Sequence, residues 1–355
     1  MLVNSFHFSA LDPCGIAIFS QHLGEVLSRL GHAVLVTNLR TATRVTHTPV
    51  EILHYVPSSF ASTEASRALM TFLNSRQASH KLFVILHGLH SCGEDRLLDD
   101  TPCPYQADHI RLMLQTAESL TALSESVARA CHTWHLAFGG RAKTLRLDHP
   151  GLFVPTAKLT TTHGSYAFVG GISRSKKRHT GDSIPTLLNL CQHHGIRVWE
   201  HWTNLPPLEP APRVWRQTCG ILSDAEWSGL ISNAQVVLCP YKTRIQSVSG
   251  LISEALSARR FVLSTSFKLA LEMKARIPEL IVIEDNIELW PKLIRQLPHL
   301  SGRIVTGIPT WDSFARSFLL EILPPKSEDP PPNREWRDSS AGASTKEVLM
   351  SECAL

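Results

Sequence analysis

The chain has no C-x-x-C pair, no apolar run near the ~18 residues a spanning helix needs, and no basic stretch leading into an apolar core at its start. Its eight cysteines, at positions 14, 92, 103, 131, 191, 219, 239 and 353, are scattered, which suits reduced thiols in a cytoplasmic protein better than a disulfide frame or a zinc knuckle. A signal peptide and a membrane span are therefore not expected, and contact with a membrane is at most peripheral, at its inner face. There is no H-E-x-x-H, no Asp-x-Asp, and the 18 histidines are not interleaved with carboxylates. Metal catalysis is not expected, and neither is a metal–diphosphate clamp. The G-x-G-x-x-G spacing of a dinucleotide site is missing as well. A net charge of +4 is small, and the basic residues form no long stripe, so nucleic acid is not expected as a partner.

What remains is the composition of a globular protein. The 355 residues are 43% hydrophobic and 19% charged, enough for two domains with a core each. Leu2–Phe8 reads as a strand, Ile16 to Leu30 as an amphipathic helix, and Ala33–Thr37 as a second strand, a βαβ opening that implies a parallel sheet. Strands follow at Val50–Val56, Leu82–His87, Leu120–Leu123 and Thr144–Leu147, with helices at Thr63–Ser75, Ala107–Ala117 and Ser124–Leu136. His149 to Pro155 and the Thr-rich 158–163 stretch look like a linker. A second α/β run opens with Tyr166–Val169, then Gly170, Gly171 and a basic loop at 174–179. It continues with a helix at Ser183–His193, a strand at Ile196–Glu200 and a Pro-rich loop at 205–212. Later come strands at Phe261–Ser264 and Leu280–Ile283, and helices at Phe267–Ala275, Ile287–Leu297 and Trp311–Leu323. From Pro324 the composition is that of a disordered tail.

The stretch around which the rest is organised is Pro240–Leu256, which runs from a short apolar strand through a polar loop into a helix. Leu251, Ile252, Ala255 and Leu256 make one apolar stripe, and Glu254 falls off it, on the same rim as Gln246 and Ser247. Ser249 and Gly250 mark a helix start, where free N–H groups suit an anion. Any α/β domain contains strand–loop–helix joints of this sort, so the pattern by itself leaves a purely structural role open.

Several motifs taken in order carry a resemblance: CGIAIFSQHLGEVLSRLGHAV (14–34), VILHG (84–88), LTALSESV (120–127), HPG (149–151), FVGGISRSKKRH (168–179), CPYKTRIQSVSGLISEAL (239–256) and TWDSFARSFLLEIL (310–323). Together they resemble the retaining family 4 glycosyltransferases with the GT-B fold. The resemblance implies two Rossmann-like, doubly wound parallel-sheet domains facing a cleft: 1–155 on the acceptor side and 156–308 holding a nucleotide sugar. It also implies a helix at 309–323 crossing back to the first domain, with 324–355 as the tail. The activity implied is metal-independent transfer of a sugar from a nucleotide-sugar donor, a substrate rather than a cofactor, to a glycan, lipid-linked or small-molecule hydroxyl, with retention of configuration.

The family's E-x7-E pair falls on Gln246 and Glu254, an amide standing in the first place. Glu254 is implied to bind the ribose hydroxyls, and Gln246 the transferred sugar. Ser247, Val248, Ser249 and Gly250 are implied to meet the diphosphate through backbone N–H groups. The basic pair of a G-R-x-S-x-x-K pattern falls on Gly171 and Lys176, after Gly170, so the lysine is kept and the arginine is not; Arg174 lies three residues along. One fixed donor to a developing negative charge is worth ~3 kcal/mol of barrier, so this departure matters. His87 matches a position beside the reacting sugar, and Gly15 the loop facing the donor. The two departures leave an alternative expectation, a catalytically weak or inactive protein of this fold that binds a nucleotide or glycan as a partner or regulatory subunit.

Overall fold

A computed structural model of the chain describes residues 1–8, 14–42, 46–60, 62–76, 79–88, 104–154, 166–171, 183–203, 216–241, 248–298 and 306–322. In the first half, strands and helices alternate as β1 (Leu2–His7), α1 (Gly15–Arg29), β2 (Ala33–Asn38), β3 (Val50–Tyr55), α2 (Thr63–Ser75), β4 (Lys81–Leu86), α3 (Pro104–Thr116), β5 (Ser119–Ala122), α4 (Glu125–Phe138) and β6 (Lys143–Arg146). The second half carries β7 (Ala167–Gly171), α5 (Ser183–His193), β8 (Val198–Trp202), β9 (Arg216–Cys219), α6 (Asp224–Ser232), β10 (Val236–Cys239), α7 (Gly250–Ser257), β11 (Phe261–Ser264), α8 (Lys268–Arg276), β12 (Ile281–Ile283), α9 (Trp290–Gln296) and α10 (Trp311–Ile322).

Each half forms a six-stranded sheet, in the orders β2-β1-β3-β4-β5-β6 and β12-β11-β10-β7-β8-β9. Every pairing is parallel. Parallel strands need crossovers, and the helices supply them, which covers the sheet faces and explains why β3, β5, β10 and β11 are buried along their whole length. In doubly wound sheets a ligand crevice opens beyond the strand carboxyl ends, where the winding order reverses. That point lies between β1 and β3 in the first sheet and between β7 and β10 in the second.

Local chemistry sets the helix starts. Ser124 accepts from Val127 N at 3.3 Å, and Glu125 follows it in the first turn, where a carboxylate suits the helix dipole. Glu272 of α8 adds to that cap from the other half of the chain, accepting from Glu125 N at 2.8 Å and Ser126 N at 3.3 Å. Arg276, also on α8, reaches Asp148 at 2.8 Å. The two crossing segments are tied to each other as well: Gly151 N donates to Pro309 O at 3.0 Å, and Trp311 Nε1 to Gly151 O at 3.0 Å. Trp311, Phe314, Phe318 and Ile322 of α10 pack into the core of the first sheet, beside Phe19 of α1.

The sequence-based elements match closely at Thr63–Ser75, Ser183–His193 and Phe261–Ser264. The strand expected at Ile196–Glu200 lies two residues later, and the helix expected at Ile287–Leu297 is a 3-10 turn at Ile287–Leu289 followed by α9, which has proline in its first turn. β9 and α6 were not anticipated. β9 (RQTC) is a polar edge strand without apolar alternation; α6 begins with a capping box between Ser223 and Glu226, a signal present in the sequence. Among the described residues no helix is long and apolar enough to cross a membrane. The tail beyond 322, the basic loop at 174–179 and the loop at 242–247 lie outside the described residues.

Candidate functional site

The carboxyl end of β10 leads through Pro240 and Tyr241 to the start of α7, where the chain's organising stretch was expected. Val248 is buried and joins the core of the first sheet, so this loop touches both halves. Ser249 occupies the N-cap position but makes no capping hydrogen bond; its hydroxyl is paired with Tyr241 Oη at 2.9 Å instead. The first turn of α7 therefore has no side-chain cap from Ser249, leaving the partial positive charge of the helix end for an anion. Burial drives the Tyr241 hydroxyl strongly upward, so it stays protonated.

Leu251, Ile252, Ala255 and Leu256 are all buried on one face of α7, and Glu254 stands on its rim. Glu254 Oε2 accepts from Trp227 Nε1 of α6 at 3.0 Å. Trp227 packs edge-on against Phe168 of β7, with ring centroids 5.7 Å apart. The carboxylate is thus held by an element that sequence patterning did not reveal. A Cβ built on Gly250 would lie 3.9 Å from Glu254 Oε1 and 3.3 Å from His149 Cε1, which brings the first residues of α7 against the segment leaving the first domain.

At the end of β7, a Cβ on Gly170 would fall 2.3 Å from His201 O, so no other residue fits without moving backbone. Gly171 adopts φ +146°, a conformation that favours glycine. The missing arginine of the basic motif therefore corresponds to a backbone position where a side chain is strained. Lys176, Arg174, Gln246 and Ser247 lie outside the described residues.

The first sheet contributes a histidine cluster. His87 follows β4, and its Nε2 is 2.8 Å from His54 Nδ1; His54 Nε2 is 2.8 Å from Ser5 Oγ, which in turn is 2.7 Å from Ser20 Oγ. Side chains of β1, β3 and α1 and the half-buried His87 beyond β4 thus form one relay. Phe19 packs edge-on against His87 at 4.7 Å, His54 at 5.7 Å and His149 at 5.2 Å. This apolar packing keeps the imidazoles neutral. Burial, then neighbouring His54, His149 and His7, holds His87 well below its ordinary range. Burial, then His7, lowers His54 to about 3. His149 falls to about 4 through burial, opposed by its hydrogen bond to Pro150 O, with a further lowering from His22. With Nδ1–H committed to Pro150 O, His149 presents Nε2 as an acceptor.

Gly15 opens α1 and is exposed beyond β1, at the same end of the sheet as His87. Across the two halves, His22 of α1 meets Asp224 of α6 at 2.9 Å while stacking on Phe153 at 3.9 Å. The structure therefore gathers His87, His149, Phe19 and Gly15 at the carboxyl edge of one sheet. Gly170, Gly171, Ser249, Gly250 and Glu254 gather at that of the other. His54, His149 and Trp227 were not among the expected site residues. A histidine inside a strand and a tryptophan on an unrecognised helix carry no local signal of their partners.

No family model matches the chain, and no curated protein matches it. Solved structures do. An alpha-glucosyltransferase in complex with UDP and a 13-mer DNA superimposes with TM-score 0.55 at 11% identity, over 90% of this chain and 95% of that one. Sucrose-phosphate synthase from Thermosynechococcus elongatus gives 0.55 at 12%, over 89% and 93%. Anabaena HepE in complex with UDP-glucose gives 0.55 at 12%, over 90% and 94%. The fold is GT-B. At these identities the likeness establishes architecture: two Rossmann-like domains, each with its parallel sheet flanked by helices. It also corrects one expectation. Nucleic acid was set aside on the small net charge and the lack of a long basic stripe, yet the same fold is found holding DNA in the alpha-glucosyltransferase complexes. Whole-chain charge does not decide such a contact, because phosphates respond to local groups lining a cleft.

Proposed function

We propose that this protein is a glycosyltransferase that takes a sugar from a nucleotide-sugar donor and passes it to a hydroxyl acceptor. The observation that carries the proposal is Glu254, held by Trp227 at the switch point of the second sheet and set four residues into a helix that Ser249 leaves uncapped. A carboxylate has the acceptor capacity to take up two ribose hydroxyls, and a helix end suits a diphosphate. UDP is the first nucleotide to test, since an alpha-glucosyltransferase and HepE, both similar in fold, are known with UDP or UDP-glucose.

In this scheme Gly170 and Gly171 let the diphosphate approach the end of β7, and the N–H groups of Val248 to Gly250, with Ser247, receive it. Lys176, with Arg174 beside it, stabilises charge on the leaving group. Gln246 and His87 bind hydroxyls of the transferred sugar, His87 through Nδ1, since its Nε2 is paired with His54, and as a neutral imidazole that does not repel the cationic character that develops at the anomeric carbon. Transfer proceeds with retention, in the manner of family 4, with no metal at the reacting centre and the protein in the cytoplasm. With domain limits at residues 155 and 308, most of the donor-binding residues belong to the second unit, and Gly15 faces the donor from the first.

The test is calorimetric titration with UDP, with Glu254→Ala as comparison, followed by transfer from UDP-glucose to a panel of glycan, lipid-linked and DNA acceptors. Binding weakened at least about tenfold in the variant, a loss of ~1.4 kcal/mol or more, supports the site. Equal binding by both proteins removes Glu254 from it. A second proposal is motivated by Gly171, whose conformation disfavours the arginine of the basic motif: a nucleotide-binding subunit without turnover. It requires UDP binding with no transfer or hydrolysis of UDP-glucose.

A further inference from the structure

Glu51 is fully buried on β3, near the amino-terminal rim of the first sheet. A buried carboxylate must be neutralised and hydrogen-bonded. Arg76, just past α2, donates through Nε to Glu51 Oε2 and through an NH2 group to His80 O at 2.6 Å. The other carboxylate oxygen, Oε1, faces two imidazole nitrogens: His47 Nδ1 at 2.6 Å and His80 Nδ1 at 3.9 Å.

His47 Nε2 lies 3.1 Å from Ser75 Oγ, and that hydroxyl gives its own proton to Phe72 O at 3.1 Å. Ser75 thus bridges His47 and the last turn of α2. His47 Nδ1 and Glu51 Oε1 are within hydrogen-bond distance of each other. His80 Nδ1 is buried and has no hydrogen-bond partner. A proton on His47 Nδ1 completes that hydrogen bond and still leaves His80 Nδ1 unsatisfied. A cation seated among the three atoms satisfies all of them.

We propose that His47, Glu51 and His80 form a structural binding site for a divalent transition-metal ion, zinc being the best match. The three ligand atoms all lie within 4.8 Å of one another. Zinc–nitrogen and zinc–oxygen bonds of about 2.0–2.2 Å place tetrahedral ligand atoms about 3.3–3.5 Å apart, between the 2.6 and 3.9 Å separations found here. Two imidazoles favour zinc over magnesium or calcium, which take oxygen ligands. Ser75 serves as the outer partner that orients His47, and Arg76 occupies the carboxylate's second oxygen so that only Oε1 is offered. A fourth position is left for water. The ion would join the start of β3, the start of β4 and the end of α2, remote from the carboxyl edge where His87 and Gly15 lie.

The site was not legible from spacing: His47 and Glu51 flank a strand start, and His80 arrives only when β4 pairs beside β3. The inference does not depend on sugar transfer. Its test uses the full chain, stripped with a chelator and dialysed, then titrated with zinc chloride while thermal unfolding is followed, with metal content measured by plasma emission. Cobalt(II) substitution adds visible bands of a tetrahedral nitrogen–oxygen site. About one equivalent of zinc is expected, with a raised unfolding midpoint. His80→Ala, at a half-buried position, should weaken binding at least about tenfold and abolish the cobalt bands, with UDP titration unchanged. Because Glu51→Gln threatens folding, His47→Gln is the second variant, expected to weaken zinc in the same way. Failure of the stripped protein to take up zinc overturns the assignment, as does stoichiometric binding that survives His80→Ala.

Discussion

Lowering the pH from about 7.5 to about 5 is expected to cost this protein a large part of its stability, because the cluster below Phe19 keeps its imidazoles neutral. The perturbation acts on His54, lowered to about 3, His149, lowered to about 4, and His87, held well below its ordinary range. In the unfolded chain the same groups titrate near ~6.5. Above that pH neither state holds an extra proton, and the cluster contributes no pH dependence. As the pH falls below it, the unfolded chain takes up protons that the folded one refuses, so stability is lost at ~1.4 kcal/mol per pH unit for each histidine until the folded value is reached. At about pH 5 this is ~2 kcal/mol for each of His54 and His149, or ~4 kcal/mol for the two, against a total of ~5–15 kcal/mol for a typical domain, and His87 adds in the same direction. Urea unfolding followed by circular dichroism across that range measures the slope. His54→Gln keeps an amide between Ser5 and His87 and cannot ionise, so its slope should be shallower by up to ~1.4 kcal/mol per pH unit. A wild-type unfolding free energy that changes by less than ~1 kcal/mol over the range would refute the reasoning, since it would mean that the imidazoles are solvated or already charged.

Two further outcomes follow from the packing of the second domain. Trp227→Phe removes the indole donor from Glu254 while keeping an aromatic ring against Phe168, and UDP affinity should drop by up to ~1.5–3 kcal/mol, about ten- to 150-fold, the worth of a hydrogen bond to a charged group; calorimetry reads it, and unchanged affinity would show that the carboxylate needs no holder. Gly171→Arg, which restores the basic motif, should lose ~1–3 kcal/mol of stability in urea because φ +146° strains any side-chain-bearing residue; unaltered stability would mean that the turn relaxes freely.

Apolar periodicity was sufficient to place most of the elements, because burying a stripe or an alternating face is what makes each of them stable in any context. VILHG ends a strand and Trp311 to Ile322 packs one face as its spacing implied, with Trp311, Phe314, Phe318 and Ile322 inside the first core. Where periodicity is absent the sequence was silent: RQTC is an edge strand held by its neighbour's backbone, and DAEWSGLIS is marked by its cap more than by a stripe.

The candidate site divides the same way. Strand ends and helix starts are local, so Gly15, His87, Gly170, Gly171, Gly250 and Glu254 were identifiable as residues at the carboxyl edge of parallel strands. Who faces them is not local. Trp227 reaches Glu254 across 27 residues, His54 reaches His87 across 33, and His80 reaches Glu51 only because β3 and β4 pair in register. The sequence by itself determined most of the elements, the parallel start of the first sheet and the edge at which chemistry could occur, since these follow from short-range patterns and from the handed crossover that parallel strands require, while the second parallel sheet was expected only from the family resemblance. Only the tertiary structure decided which imidazoles are neutral, which donor fixes the carboxylate, and where a cation could sit, because burial and pairing are properties of neighbours brought together by the fold.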